Sequence, residues 1–218
     1  MRKKVLIMGG GGTASTIAYA IIDANRRGDN TLEFVGYLND RDGVTEIEGH
    51  PVVGGLKDIP SFIEKDYYFI NAIGKIGVQQ QRIELLESLN IPDERYATFI
   101  HPLAYVAPNV VLGPGCVIMP NVSISPGTQL GKCCRVMVNA IIGHNNIIGM
   151  HCFFAAQSCT GAYLTIKDGV FVSLNATVRE FLTLEAYSTV GMGAVLTKSI
   201  GEHEIWIGNP AKKMEKKN

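Results

Sequence analysis

Residues 136–154 read VMVNAIIGHNNIIGMHCFF, with a branched or bulky apolar residue at every sixth position: Val136, Ile142, Ile148 and Phe154. The spacing runs from Val106 to Leu196, and fifteen of its sixteen positions are apolar, Thr160 being the exception. A helix repeats near 3.6 residues and a two-sided strand at 2, so neither produces this period. Three six-residue faces close one coil of a triangular solenoid. The second half is therefore predicted to be a parallel β-helix.

Two weaker patterns keep the same period. The position two before the inward one is often small and suits a corner, at Cys116, Thr128, Cys134, Ala140, Cys152, Ser158, Ala176, Ser188 and Ala194. The position after it is often glycine, which allows unusual dihedral angles or close backbone approach, at Gly113, Gly131, Gly143, Gly149, Gly161 and Gly191. A β-sandwich is the alternative, but sandwiches scatter their turns instead of keeping one phase over about ninety residues.

The first 97 residues follow another pattern, in which short apolar strands alternate with helices. Strands are expected at 5–8, 33–38, 51–53 and 67–73, and helices at 13–27, 56–65 and 78–89. This order predicts a small parallel sheet with helices on its faces, a Rossmann-like α/β domain. The chain is thus divided into domains 1–97 and 98–218, the second ending in a cap.

The composition limits the classes of partner that the protein is expected to bind. The formal net charge is zero, so binding to nucleic acid or to an anionic membrane is not expected, and small molecules are the expected partners. The apolar run Val5 to Met8 stops at a glycine cluster and is too short for a signal peptide or a membrane span. Five cysteines, an odd number without zinc-type spacing, fit packing roles in a reducing cytoplasm.

A glycine-rich turn follows the first predicted strand. Residues 9–14, GGGGTA, match the looser G-x-G-x-x-A fingerprint and open a helix, where backbone N–H groups suit phosphates. The second strand ends at Asn39 and Asp40, where a carboxylate can accept hydrogen bonds from a ribose or a base. The pattern predicts a nucleotide-binding loop; the alternative is that the glycines only form a tight turn. No catalytic domain of dehydrogenase type follows.

Three histidines are candidates for chemistry. His144 lies two residues after the inward Ile142, so its imidazole is expected to point outward, either as a base near neutral pH or as a solvated surface residue. His101, before Pro102, is expected to be a junction or capping residue, and His151 to line a groove or to be exposed. Three histidines on a solenoid are also compatible with a second function, that of a zinc-dependent hydratase. Such a zinc site would need the three histidines to converge across subunits, so no metal is expected.

The tail Ile205 to Lys213 holds a tryptophan, a turn and two lysines. A solenoid needs a cap at its open end, and this segment is expected to supply one. The lysines also suit the phosphates of a long anionic cofactor such as coenzyme A. The two roles are compatible.

Together these motifs resemble the sugar O- and N-acyltransferases of the hexapeptide-repeat superfamily, and among them the bacterial nucleotide-4-amino-sugar N-acetyltransferases. The resemblance rests on residues 9–14 after the opening strand, on 37–40 (YLND), 72–74 (AIG), 99–102 (FIHP), 142–144 (IGH) and 208–212 (GNPAK). It implies a left-handed β-helix and a homotrimer with active sites between adjacent solenoids. It also implies acetyl-CoA in the groove and a nucleotide-linked sugar, more specifically an amino sugar, on the first domain.

The resemblance also implies roles for residues. His144 would be the general base, the Gly161 N–H would stabilise the oxyanion, and Gly191 and Lys212 would contact acetyl-CoA. The residues implied in binding the nucleotide sugar are Gly10, Gly11, Gly12, Thr13, Asn39, Asp40 and Arg82.

The sequence departs from the family at the proposed base. Asn145 stands where the family usually has an acid, and an amide orients the ring without supplying charge. A second family histidine falls on Phe153 or Phe154. Besides the acetyltransferase and the hydratase, two further functions therefore stay open. One is a catalytically impaired trimeric ligand-binding module, and the other is an acetyltransferase that acts on a free sugar or amino acid.

Overall fold

The computed structural model describes residues 2–215 and begins with an α/β layer. Its strands are β1 (Lys3–Met8), β2 (Leu32–Leu38), β3 (Glu46–Ile47), β4 (His50–Gly54) and β5 (Tyr68–Asn71). Its helices are α1 (Thr13–Arg26), α2 (Ile59–Glu64) and α3 (Gln79–Ser88), with 3-10 turns at Leu56–Asp58 and Asp93–Arg95. The sheet order is β3-β4-β2-β1-β5, parallel except for the β3–β4 hairpin. The predicted α/β fold is confirmed, although the two-residue β3 was not predicted.

Burial follows the apolar pattern of each element. Residues 5–8 of β1 have no exposed surface, and Ile17, Ala18 and Ile21 of α1 pack against the sheet. Ile22, next to Ile21 in α1, is only half-buried. In α3 only Leu86 is fully buried, and Ile83 and Leu85 are half-buried.

The rest of the chain winds into a left-handed parallel β-helix, which confirms the fold predicted for the second half. Strands of two residues pair in parallel with the strand one coil later, as Ser123 pairs with Ile141 and Ile141 with Cys159. The strands are β6 (Phe99–Ile100), β7 (Tyr105–Val106), β8 (Val111–Leu112), β9 (Val117–Ile118), β10 (Ser123–Ile124), β11 (Gln129–Leu130), β12 (Arg135–Val136), β13 (Ile141–Ile142), β14 (Ile147–Ile148), β15 (Phe153–Phe154), β16 (Cys159–Thr160), β17 (Thr165–Ile166), β18 (Phe171–Val172), β19 (Thr177–Val178), β20 (Thr183–Leu184), β21 (Thr189–Val190), β22 (Val195–Leu196), β23 (Ile205–Ile207) and β24 (Lys212–Lys213).

Three sheets form the faces of the prism. Face 1 contains β7, β10, β13, β16, β19 and β22; face 2 contains β8, β11, β14, β17 and β20. Face 3 contains β6, β9, β12, β15, β18, β21, β23 and the antiparallel β24. The chain visits the faces in the order 1, 2, 3, so each corner of the prism carries a column of equivalent residues.

The six-residue repeat of inward residues holds through the core, and the glycines and the left-handed turn residues occupy different positions within it. Every sixth residue from Ile118 to Leu196 is buried, including Thr160. The glycines after these residues serve close approach, since a Cβ on Gly143 would lie 2.3 Å from the Gly161 carbonyl oxygen. Left-handed backbone occurs instead three residues after the inward one, as at Asn145 and His151 with φ of 56° and 57°.

The α/β layer packs on face 3 and on the corner between faces 2 and 3. Glu87 of α3 contacts His151 and Lys132 at that corner, and the Gln79 side chain donates to Thr189 on face 3 at 2.8 Å. β6 is the first strand to join a solenoid sheet. On this basis we retain the division into residues 1–97 and 98–218 as a proposal.

Candidate active site

The glycine-loop cleft is an open cavity of about 460 Å³ at the carboxyl ends of β1, β2 and β5. Of the residues predicted to bind a nucleotide sugar, all except Gly12 line it: Gly10, Gly11, Thr13, Asn39, Asp40 and Arg82. Lys75 also lines it and was not singled out from the sequence, because a lone lysine in a loop carries no motif. The tertiary structure thus brings together residues that are more than seventy positions apart in the chain, such as Gly10 and Arg82.

The cleft has one cationic and one acidic side. Helix α1 begins at Thr13 without a side-chain cap and has no acidic residue in its first turn. Its first N–H groups therefore keep their partial positive charge for an anion. Gly12, which does not line the cleft, caps α1 with φ of 79°, and its carbonyl accepts from Thr16. On the other side, Asp40 accepts from the Leu56 N–H at 2.7 Å, which fixes its carboxylate.

His144 lies at the corner between faces 1 and 2, and its side chain is exposed, as predicted. Its Nδ1 lies 3.2 Å from Oδ1 of Asn145. A carbonyl oxygen only accepts, so this contact places the ring proton on Nδ1 and leaves Nε2 to accept a proton.

Aromatic side chains continue the same corner in the following coils. The ring of Tyr163 meets His144 edge to face at 5.1 Å and stacks on Phe181, also at 5.1 Å. Tyr163 and Phe181 occupy the left-handed turn position one and two coils after Asn145. The His144 ring is therefore held from two sides, by an amide and by an aromatic face.

The predicted role of Gly161 is wrong in this subunit. Its N–H donates to the Val178 carbonyl at 2.8 Å as part of the coil-to-coil ladder, so it is not free for an oxyanion. The sequence could not reveal this, because any residue directly after an inward one enters the ladder. The N–H of Ala162, in the next position and one coil after His144, has no acceptor within residues 2–215.

The other two histidines have structural partners. His101 is fully buried at the junction, where its Nε2 lies 3.2 Å from Asp23 Oδ2 and its Nδ1 accepts from the Leu103 N–H. His151 was expected to line a groove or to be exposed. It is instead buried under α3, with its Nε2 3.1 Å from Oε1 of Glu87. Burial lowers the pKa of His151 despite the opposing effect of Glu87. Residues 2–215 contain no group of three or more His, Cys, Asp or Glu arranged to hold a metal.

An apolar groove of about 640 Å³ runs between the α/β layer and face 3. It is lined by the stacked rings of Phe153 and Phe171 and by Met137, Gly191 and the exposed Met192. Gly191 lines this groove of a single chain, and its contact with acetyl-CoA stays a prediction. Phe153 lies in the groove, away from His144.

The tail closes the solenoid. β23 pairs with β21, and the Trp206 Nε1 donates to Glu204, which also accepts from Lys213. These contacts lower the pKa of Glu204 to about 2, first through the Lys213 hydrogen bond. Lys212 is exposed. The segment is a cap, and its role toward coenzyme A stays a prediction.

His144 and the glycine-loop cleft of one chain lie on opposite sides of the prism. The corner between faces 1 and 2 is opposite face 3 in a triangular section, and the α/β layer packs on face 3. The predicted base and the predicted nucleotide site of one subunit therefore do not meet.

The structure also bears on the predictions about the cysteines and about membrane spans. The five cysteines are free, and four of them are buried. Over residues 2–215, no helix is both long and apolar enough to cross a membrane.

Comparisons with known proteins cover both parts of the chain. A family model described as the PglD N-terminal domain matches residues 4–86. A comparison with curated proteins gives no match. Among solved structures, perosamine N-acetyltransferase (PerB) from Caulobacter crescentus, with CoA and GDP-perosamine, is 26% identical with a TM-score of 0.82, over 97% of both chains.

Two further structures resemble the chain. A histidine-to-asparagine variant of the Caulobacter crescentus enzyme, with the same two ligands, is 25% identical with a TM-score of 0.83, over 98% of this chain and 97% of that one. The acetyltransferase domain of PglB from Neisseria gonorrhoeae, with acetyl coenzyme A, is 23% identical with a TM-score of 0.83, over 98% and 100%, and supports the fold. The predicted resemblance to the nucleotide-sugar N-acetyltransferases of the hexapeptide-repeat superfamily is thereby confirmed, as is the predicted enzyme class, an acyltransferase, and the solved structures hold CoA or acetyl coenzyme A.

Proposed function

We propose that this protein transfers the acetyl group of acetyl-CoA to an amine of a nucleotide-linked sugar. The observation that carries the proposal is the match over nearly the whole chain to an enzyme solved with both CoA and GDP-perosamine. The glycine-loop cleft supports the same substrate class, since it combines an uncapped helix start for phosphates with Asp40 for a ribose or base.

The chemistry requires one base and one oxyanion donor. His144 Nε2 removes a proton from the acceptor amine as its nitrogen attacks the thioester carbon. The carbonyl oxygen becomes an oxyanion, which accepts from the N–H of Ala162 in the coil after His144, a donor that has no other acceptor within residues 2–215. The C–S bond then breaks, and the CoA thiolate takes up a proton. Asn145 favours the tautomer with the proton on Nδ1, which this step requires, and Tyr163 packs against the imidazole ring.

The proposed enzyme is a homotrimer in the cytoplasm. Because His144 and the cleft of one chain lie on opposite sides of the prism, a complete site needs the His144 corner of one copy beside the cleft of the next. Three copies around a three-fold axis close such a head-to-tail arrangement. Free cysteines fit a reducing compartment.

The activity is tested by following CoA release with a thiol reagent. Purified protein, acetyl-CoA and nucleotide-linked 4-amino sugars should release CoA, whereas the matching 4-hydroxy sugars should not. A protein that binds both ligands, detected by thermal shift, yet releases no CoA would be the binding module suggested by Asn145. Stoichiometric zinc in the purified protein would instead favour the hydratase.

The shared site is tested by mixing two inactive variants. Gly11→Asp puts a negative charge in the phosphate loop without a clash, because no atom lies within 4 Å of a Cβ there. Gly11→Ala is the control. After random exchange at equal concentrations, one of the three sites in each mixed trimer of G11D and H144A, or roughly a quarter of all sites, should combine an intact His144 with an intact glycine loop and regain activity. Mixed trimers without activity would overturn the shared site.

A further inference from the structure

Arg135 is an unusual residue for a solenoid strand. It begins β12 on face 3, is only 6% exposed, and lies at the junction with the α/β layer. Buried charges in proteins are normally paired, because transfer from water is costly. Within residues 2–215 its guanidinium has no carboxylate partner, and its buried Nε has no hydrogen-bond partner. Burial lowers the pKa of Arg135 to about 10, which reflects the same cost.

The guanidinium is held in one place by packing. It lies over the ring of Phe153 at 5.0 Å, and its Nη2 lies against Gly74. A Cβ on Gly74 would be 2.7 Å from Nη2, so glycine at this position leaves room for the guanidinium. The packing therefore fixes the direction of a charge that it does not neutralise.

Arg135 lines a small junction cavity of about 30 Å³ that borders the glycine-loop cleft. The two share Ile73, Gly74, Lys75 and Arg82 as lining residues. The cavity has room for one water, which can accept from the unpartnered Nε of Arg135. Such a water satisfies Nε but leaves the charge and the Nη groups beside Gly74 without an anion.

We propose that Arg135 is a phosphate-binding residue, whose Nη groups contact a phosphoryl oxygen of the nucleotide-linked substrate in the glycine-loop cleft. It acts from the solenoid side of Gly74, together with Lys75 and Arg82, which line the same cleft. A bound diphosphate thus contacts both parts of the chain. The inference deepens the proposed function and rests on it.

The test measures binding to the full-length protein by calorimetry, using UDP, GDP, dTDP and inorganic pyrophosphate as probes. Arg135→Met should weaken the tightest nucleoside diphosphate by roughly tenfold to a hundredfold, since hydrogen bonds to charged groups are among the strong ones. Arg135→Lys should lose less. Arg26→Met removes an exposed arginine outside the cleft and should bind as the wild type does.

A second variant separates folding from binding. Gly74→Ala keeps Arg135 but displaces its Nη2, so it should also lose affinity while its melting temperature stays within a few degrees. Without ligand, R135M should be no less stable than the wild type, because it replaces an unpaired buried charge by an apolar chain. Unchanged nucleotide affinity in both variants would overturn the role of Arg135.

The remaining outcomes distinguish this inference from the proposed function. A wild type that binds no nucleoside diphosphate would contradict the proposed function and the substrate role of Arg135 together. Pyrophosphate binding that depends on Arg135, without nucleotide binding, would show a free-anion site and overturn the substrate role. Nucleotide binding that R135M and G74A leave intact would remove only Arg135.

Discussion

Two corners of one coil carry a histidine, and they have opposite fates. His144 lies at the corner between faces 1 and 2, exposed, with a neutral amide as its partner. His151 lies at the next corner, buried under α3 with a carboxylate as its partner. His151 occupies the left-handed turn position that Asn145, next to His144, occupies at its own corner, and Asn145 is exposed, so the packed α/β layer is what buries His151. The comparison shows that accessibility on a solenoid is set by what packs on each corner.

The sharpest test of the exposed corner is His144→Ala. If this imidazole is the base, kcat should fall roughly a hundredfold or more, the scale of a positioned general base. Steady-state CoA release measures it, with thermal melting as the control for folding. An unchanged kcat would remove His144 from the mechanism and with it the functional difference between the corners.

The buried corner should respond in stability instead. His151→Ala leaves Glu87 without one of its hydrogen-bond donors and opens a cavity under α3, so the free energy of unfolding should drop by about 1–3 kcal/mol. Chemical denaturation measures this drop, and kcat should change less than about threefold. A large loss of kcat with normal stability would contradict the structural role.

The same residue predicts a pH dependence of stability. The pKa of His151 is lowered in the folded state by burial, against Glu87, with Lys132 and Arg135 acting in the same direction as burial. The unfolded state therefore takes up this proton first, and stability should fall as the pH drops below about 6.5. His151→Gln should flatten the curve in that window. A wild-type curve that is already flat between pH 7 and 5 would contradict the prediction.

Asn145 offers a way to change the exposed corner without removing the base. Asn145→Asp keeps a residue type that tolerates φ of 56° and gives the imidazolium a negative neighbour. The acid limb of the pH–rate profile should move up by about one pH unit. Asn145→Ala is the control, and it should lose rate without such a shift. An unmoved limb in the Asp variant would show that the amide does not contact the working imidazole.

The smallest expected effect concerns the one exception in the repeat. Thr160 is buried in the column of inward residues, and its hydroxyl makes only a long contact of 3.4 Å to the Ile141 carbonyl. Thr160→Val should leave stability unchanged or raise it by up to about 1 kcal/mol. Denaturant midpoints measure it, with Val178→Thr as the matched reverse change. A clear loss in T160V would assign the hydroxyl a structural role.

Much of the site followed from local patterns in the sequence. The glycine turn, Asn39 and Asp40 lie at strand ends, and the outward position of His144 follows from its offset from Ile142. The misassignment of Gly161 had a physical cause: its N–H belongs to the coil ladder, which a period alone does not show. One sign of Arg135 is present in the sequence, a charged residue directly before the inward Val136. Its burial, however, depends on the α/β layer, whose residues are distant in the chain.

The sequence by itself determined the solenoid, because one six-residue period repeats the same burial at each coil, and it determined the glycine turn and its place beside the strand ends, because glycine spacing and strand ends are local. Only the tertiary structure decided which corner the α/β layer covers, since that depends on contacts such as Glu87 with His151, more than sixty residues apart. Those contacts bury one histidine, leave the other free, and put the free one on the far side from its own cleft.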